Sequence, residues 1–410
     1  MSDGLYISSV FNPNVREDVT EQHREWLDVL DRELHKLWGL GRNLILVWTA
    51  MTRGMEVLVI PHYKISEFDH QAREEAGAAA TSALGLKPVN FMDEVITHDK
   101  QVTPEGMRHV ARLTGYEPIG FDLPFIPGTD LPAELVEAAV QRYSISYVED
   151  RAVALFDIVG FSLYEPLEQV TQLNSLSYSV NSAYSKMLAK NIDISFARTT
   201  TGDGFYVWNR DRSIQANVNL YHFMHLVLAD NAIARSKSVA NTTPLMRACF
   251  HMGGHYEFYQ SEGLNPTVYS YIVGDVTIEL ARMIDRALPG QILVGDFNAP
   301  MPDRITRRTE RINSVEFIER TQGSLSNFQG LELAGDSISD IKCYLTGAER
   351  EAGGDDNYAI KRYTILDKHG RARDVYNAKV NIHRAEAEPI FLGVQTQDLD
   401  DFKVEKEEFV

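Results

Sequence analysis

Two short stretches constrain this chain more than any others, each an aspartate set beside glycine among apolar residues. The first is Leu155-Phe156-Asp157-Ile158-Val159-Gly160-Phe161-Ser162. The second is Thr201-Gly202-Asp203-Gly204-Phe205-Tyr206-Val207-Trp208. The apolar and aromatic residues predict strands, and the glycines around Asp203 predict a tight turn. About forty-five residues separate the two aspartates, enough for a helix and a return strand. That arrangement brings two carboxylates to adjacent strand ends. Hard divalent cations take oxygen ligands, and two such ions can activate a hydroxyl and bind a triphosphate.

Three later stretches extend the pattern: Arg247-Ala248-Cys249-Phe250-His251-Met252-Gly253-Gly254, then Val273-Gly274-Asp275-Val276-Thr277-Ile278-Glu279-Leu280-Ala281-Arg282, then Ala287-Leu288-Pro289-Gly290-Gln291-Ile292-Leu293-Val294. Taken in order, these segments resemble the class III nucleotidyl cyclases. That family carries F-x-D-I-x-G-F, a G-D-G-F-like hairpin, an R-x-G-x-H-x-G strand and a G-D-x-V-N-x-A-x-R helix. The resemblance covers roughly residues 148–347. It implies an α+β, ferredoxin-like catalytic domain, and a homodimer whose sites are shared between two chains.

Composition sets the surroundings. The chain has 410 residues, room for two or three domains, with 44% hydrophobic and 24% charged residues, as in ordinary soluble proteins. A net charge of −18 argues against general nucleic-acid binding, which needs a basic footprint. It leaves room for a nucleotide site whose metals offset the local charge. The two cysteines, Cys249 and Cys343, read as buried thiols. No apolar run is long enough for a membrane span. The N-terminus lacks a signal-peptide pattern, so a cytoplasmic protein is expected.

Residues 1–147 read as an N-terminal α/β domain, with a regulatory role as the sharper reading. Helices are expected over Gln22 to Trp38, Ser66 to about Leu84, Pro104 to Leu113 and Leu131 to Tyr143, and strands at Leu44–Trp48 and Val57–Ile60. The core, 148–347, reads as strand, helix (Glu165–Lys190), hairpin, helix (Ser213 to Arg235), then further strands, a βαββαβ-like order. The charged stretch 303–322 reads as helix. Residues 358–410 read as a small C-terminal β module built on a hairpin, with a frayed acidic tail. Its basic residues, among them Arg362, Arg373 and Arg384, read as a solvated face or as a contact with acidic partners.

The resemblance assigns roles residue by residue. Asp157, Asp203 and the Ile158 carbonyl become ligands to two Mg2+ or Mn2+ ions. Backbone amides of Val159, Gly160 and Phe161 hold phosphate oxygens. Arg282 stabilises charge on the α-phosphate. Two positions depart from the family. Ile278 stands where an asparagine orients the ribose. The phosphate-binding lysine has no clear match in Gly335-Asp336-Ser337-Ile338-Ser339. Thr199 and Tyr271 occupy the base-selecting positions and match neither the ATP nor the GTP pattern. Tyrosine would shrink the pocket toward a smaller base. The implied reaction makes a 3′,5′-cyclic nucleotide and pyrophosphate from ATP or a pyrimidine triphosphate, the latter as in the antiphage pyrimidine cyclases. The other reading is a degenerate cyclase fold that binds nucleotide or dimerises as a regulatory module.

Overall fold

The computed structural model describes residues 19–68, 95–97, 99–192, 194–239, 241–261, 268–303, 306, 308–346, 360–395 and 398–409. The chain divides into two compact units. One comprises residues 1–149 and 255–273, the other 150–254 and 274–410. The first unit thus includes a later segment, residues 255–273, that the expected division at 147 did not assign to it.

In the first unit, helix α1 (Glu21–Trp38) starts at Thr20, whose hydroxyl accepts the His23 amide, and stops at Gly39 in the left-handed region. Leu27, Leu30, Leu34 and Trp38 recur at helical spacing and are buried. Strands β1 (Asn43–Met51), β2 (Gly54–Pro61) and β3 (Ile119–Phe121) form an antiparallel sheet. Helices α2 (Pro104–Thr114) and α3 (Ala133–Gln141) match the expected segments. The helix expected from Ser66 to about Leu84 falls largely outside the described residues. Glu137 on α3 accepts the Trp48 indole N–H and the Lys100 and Gln101 amides, which ties α3 to β1 and to the segment after it.

The second unit contains the motifs. Strand β4 (Ile145–Ile158) enters it and is followed by α4 (Pro166–Ala189), β5 (Phe196–Thr200), β6 (Gly204–Asn209), α5 (Ile214–Lys237) and β7 (Met246–Ser261). Spatially the strands run β7-β4-β6-β5, the ferredoxin-like order for a βαββαβ chain. Ala152, Ala154, Phe156 and Ile158 on β4 face the helices. They pack with Leu176, Val180, Ala183 and Met187 of α4 and with most of α5. Side chains alternate along a strand, so Val153, Leu155 and Asp157 look to the opposite face.

Strand β8 (Val268–Val273) pairs with the far half of β7, and both belong to the first unit. Helix α6 (Asp275–Ile284) and strand β9 (Ile292–Gly295) return to the second, where β9 lies parallel to β7. The stretch expected to be helical over 303–322 is strand at Thr309–Asn313 and helix only from Ser314. A hairpin of β10 (Asn298–Pro302) and β11 (Thr309–Asn313) precedes α7 (Ser314–Leu325). Asn313 caps that helix by accepting the Glu316 amide. Cross-strand β-sheet pairing outweighed the charge pattern that suggested helix.

The C-terminal hairpin is present, but it is not a module apart. Strands β12 (Glu332–Leu333) and β13 (Asp336–Thr346) lead to β14 (Lys361–Leu366) and β15 (Ala372–Arg384), and β15 lies between β13 and β9 in the main sheet. Two short strands complete it: β16 (Ile390–Leu392) on β15 and β17 (Lys406–Phe409) on β14. The tail expected to fray is paired instead, with Lys361 meeting Glu407 and Arg362 meeting Glu408. Arg384 likewise meets Asp336. The basic residues of this stretch are contacts with acidic partners, not a bare face.

Both cysteines are buried free thiols. Three histidines of the second unit are buried as well. Burial pushes His222 down to about 4, His225 to about 3 and His251 to about 4. These folded values lie below the unfolded value of about 6.5, so the unfolded chain takes up protons first as pH falls. Stability from these groups is complete above about pH 6.5 and is lost on descent toward about pH 4. The thermal midpoint should therefore drop steadily over that window, and His225→Leu should flatten the slope. A midpoint independent of pH across the window would contradict this.

Candidate active site

The adjoining ends of β4 and β6 bring the two motif aspartates together. Asp157 at the end of β4 lies opposite Gly204 at the start of β6, and the Ile158 amide donates to the Asp203 carbonyl at 3.0 Å. Gly204 is required there, since a Cβ would lie 1.9 Å from the Phe156 carbonyl oxygen. Gly202 closes the turn with φ of +104°, a conformation glycine adopts without strain. Asp203 is half-buried, and the Thr201 hydroxyl lies 3.4 Å from its carboxylate.

Asp157 is 7% exposed. Burial raises its pKa most. A hydrogen bond and ion pair from Arg247 lower it, and the charges of Asp203 and Asp285 raise it again, so the carboxyl stays above its usual range. Arg247 Nε donates to Asp157 Oδ2 at 2.6 Å, and Nη1 donates to the Ala287 carbonyl at 3.0 Å. The sequence placed Arg247 in a matching strand but gave it no part in the site. Its signal was slight: a lone cation on a strand beside the one that carries Asp157.

The other site residues separate into those brought near and those not. Thr199 on β5 is half-buried opposite Tyr206, in the row next to Asp157 and on the same sheet face. Tyr206 Oη donates to the Thr277 carbonyl at 3.2 Å. Burial, with Cys249 and Asp285 nearby, pushes its phenol up to about 12, against the pull of Arg282. Tyr206 and Asp285 are thus neighbours of the site that sequence reasoning missed. Arg198 points to the other face from Thr199, as strand alternation requires, donating to Ser177 and lying over the Phe205 ring. Arg282, near the end of α6, lies 3.9 Å from Asp285 and 3.8 Å from Asp367.

Tyr271 falls in the first unit, stacked on Phe258. The Val159 amide donates to the Leu245 carbonyl at 2.9 Å and is not free for a phosphate. Gly160, with φ of +66°, leads into a 3-10 turn at Phe161–Leu163. Ile278 is 48% exposed on α6. Lys342 is exposed on β13 beside Asp340 and aims at no site residue among those described.

Among the described residues no group of three or more His, Cys, Asp or Glu forms a metal cage. Two adjoining carboxylates, one raised by the charge of the other, suit Mg2+ or Mn2+ of the kind held by one or two carboxylates, water and substrate phosphates. Arg247 occupies Asp157 Oδ2 only, so Oδ1 remains available to a cation. Arg247→Met should leave Asp157 buried without a partner. The expected cost is about 2 kcal/mol, less than for a fully buried pair because Arg247 is partly exposed. Denaturant unfolding checks this, and a change below about 0.5 kcal/mol would contradict the pairing. Gly204→Ala should cost more, because backbone must move.

No family model and no curated protein matches the chain. Solved structures do. The guanylate cyclase domain of RhGC from Catenaria anguillulae, in complex with GTP, is 10% identical, covering 58% of this chain and 98% of its own, at a TM-score of 0.32. The adenylyl cyclase CyaB from P. aeruginosa is 12% identical over 60% of this chain and 97% of its own, also at 0.32. The guanylyl cyclase Cya2 is 12% identical over 57% and 92%, again at 0.32. The case for function therefore rests on the residues and their geometry.

Proposed function

We propose that the chain is a metal-dependent nucleotidyl cyclase, converting a nucleoside triphosphate into a 3′,5′-cyclic nucleotide and pyrophosphate. The observation that carries this reading is that Asp157 at the end of β4 and Asp203, next to its cross-strand partner Gly204, come together at adjoining strand ends beside a glycine-led turn. Two Mg2+ or Mn2+ ions, when bound, supply Lewis acidity toward the ribose 3′-hydroxyl and neutralise the departing pyrophosphate. Asp157, Asp203 and the Ile158 carbonyl hold them. The amides at Gly160 and Phe161 orient the phosphates, and Arg282 offsets charge at the α-phosphate. Preorganised position and charge do most of the work.

Thr199 lines the base pocket from the sheet face, with Tyr206 beside it. Thr199 is neither the lysine nor the glutamate that marks purine specificity in the family, and Tyr271 stands at the family's second selecting position. We therefore include a pyrimidine triphosphate, UTP or CTP, with ATP as candidate substrates, the former fitting an antiphage signal. A homodimer with shared sites and a cytoplasmic setting belong to the same reading. No helix among the described residues is long and apolar enough to cross a membrane. The second reading is a nucleotide-binding or dimerisation module without turnover. It is favoured by the Arg247–Asp157 pair and by the exposed Ile278 where the family places asparagine.

Purified protein with Mn2+ and each of the four ribonucleoside triphosphates, analysed by mass, separates the two. A cyclic product that is lost in Asp157→Ala supports the enzyme. Tight nucleotide binding without any product supports the module. Full activity in Asp157→Ala would overturn the site assignment.

A further inference from the structure

The β14–β15 hairpin turns at Asp367, and this carboxylate does two things with its two oxygens. Oδ1 accepts the amides of His369 at 2.8 Å and Arg371 at 3.0 Å, an Asx-type turn. Shaping the turn needs nothing more. Oδ2 faces two guanidinium groups instead, Arg373 Nη2 at 3.1 Å and Arg282 Nε at 3.8 Å. The Asp367 side chain is 1% exposed. Arg373 also pairs with Glu279, one turn ahead of Arg282 on α6, and Arg286 Nε donates to the Leu366 carbonyl at 2.7 Å. The end of α6 is thus bound to this turn through three arginines.

We infer that Asp367 is a positioning residue for Arg282, a fixed counter-charge that the C-terminal hairpin supplies to the α6 arginine. Asp367 cannot follow Arg282 if it moves, because two amides and Arg373 hold it. Arg282 faces two acids, Asp367 at 3.8 Å and Asp285 at 3.9 Å. Both are ion-pair separations beyond hydrogen-bond range, so they bias the direction of the guanidinium while neither acid takes one of its donors. The tyrosine face of the site lies within electrostatic reach of the same guanidinium. That the anion is a nucleotide phosphate rests on the function proposed above. The orientation of Arg282 by Asp367 does not.

The test uses the full chain with Asp367→Asn, which keeps an oxygen for the two turn amides and removes the charge. Asp367→Ser, which also keeps an oxygen for the turn, is the second variant if the first does not fold. Phenylglyoxal labelling of Arg282 is followed by peptide mass spectrometry and referenced to exposed Arg24. The expected result, at a temperature where both proteins remain folded, is that labelling of Arg282 rises roughly fivefold relative to Arg24, the factor an ordinary ion pair contributes. An unchanged Arg282 rate overturns the proposal. With a triphosphate that the wild type converts, kcat should fall about tenfold and KM hold, the mark of an interaction made in the transition state. If the wild type forms no cyclic product, the functional reading fails, and the labelling still decides this one.

Discussion

Arg247 and Asp157 meet at 2.6 Å across neighbouring strands, and much of the second unit is arranged to make that meeting tolerable. A carboxylate at 7% exposure beside two other acids is costly to ionise. The guanidinium offsets part of that cost without covering both oxygens. The pair depends on the sheet order, because β7 must lie against β4 for Arg247 to reach. It depends also on Gly204, since any side chain there would push β6 off the Phe156 carbonyl and carry Asp203 away. Packing of α4 and α5 on the far face fixes β4 in turn, through Ala154, Phe156 and Ile158.

A second set of charges fixes the helix that carries Arg282. Here the C-terminal strands matter. β15 is a member of the main sheet, and its preceding turn presents Asp367 to α6. The hairpin thus belongs to the structural support of the site, which gives a physical reason for so many arginines in an acidic chain to cluster in its last strands. Each one described has an acid opposite: Arg362 with Asp374, Arg373 with Glu279, Arg384 with Asp336.

The helices and the central hairpin were legible because their signals are local. Leu27, Leu30 and Leu34 repeat at helical spacing, and Gly202-Asp203-Gly204 admits little but a tight turn. The position of β15 between β13 and β9 was not legible, because strand pairing over long separations leaves no local trace. The stretch around Thr309–Asn313 misled for a similar reason: its charges suit a helix as well as an exposed hairpin. Leu167 and Val170 keep helical spacing with the buried residues of α4, yet they lie exposed at 79% and 54%, since the helix meets the core only from its second turn onward. Of the site, the aspartate pair could be read from sequence. Arg247, Tyr206, Asp285 and Asp367 could not, because each acts across a contact that only the fold creates.

The central claim is that Asp157 and Asp203 together form a divalent-cation site completed by a triphosphate. Mn2+ binding followed by electron paramagnetic resonance, with a non-cyclisable triphosphate analogue present, tests it most directly. Bound Mn2+ should appear only with the nucleotide and be lost in both Asp157→Asn and Asp203→Asn. Equal Mn2+ binding in the wild type and both variants would contradict it.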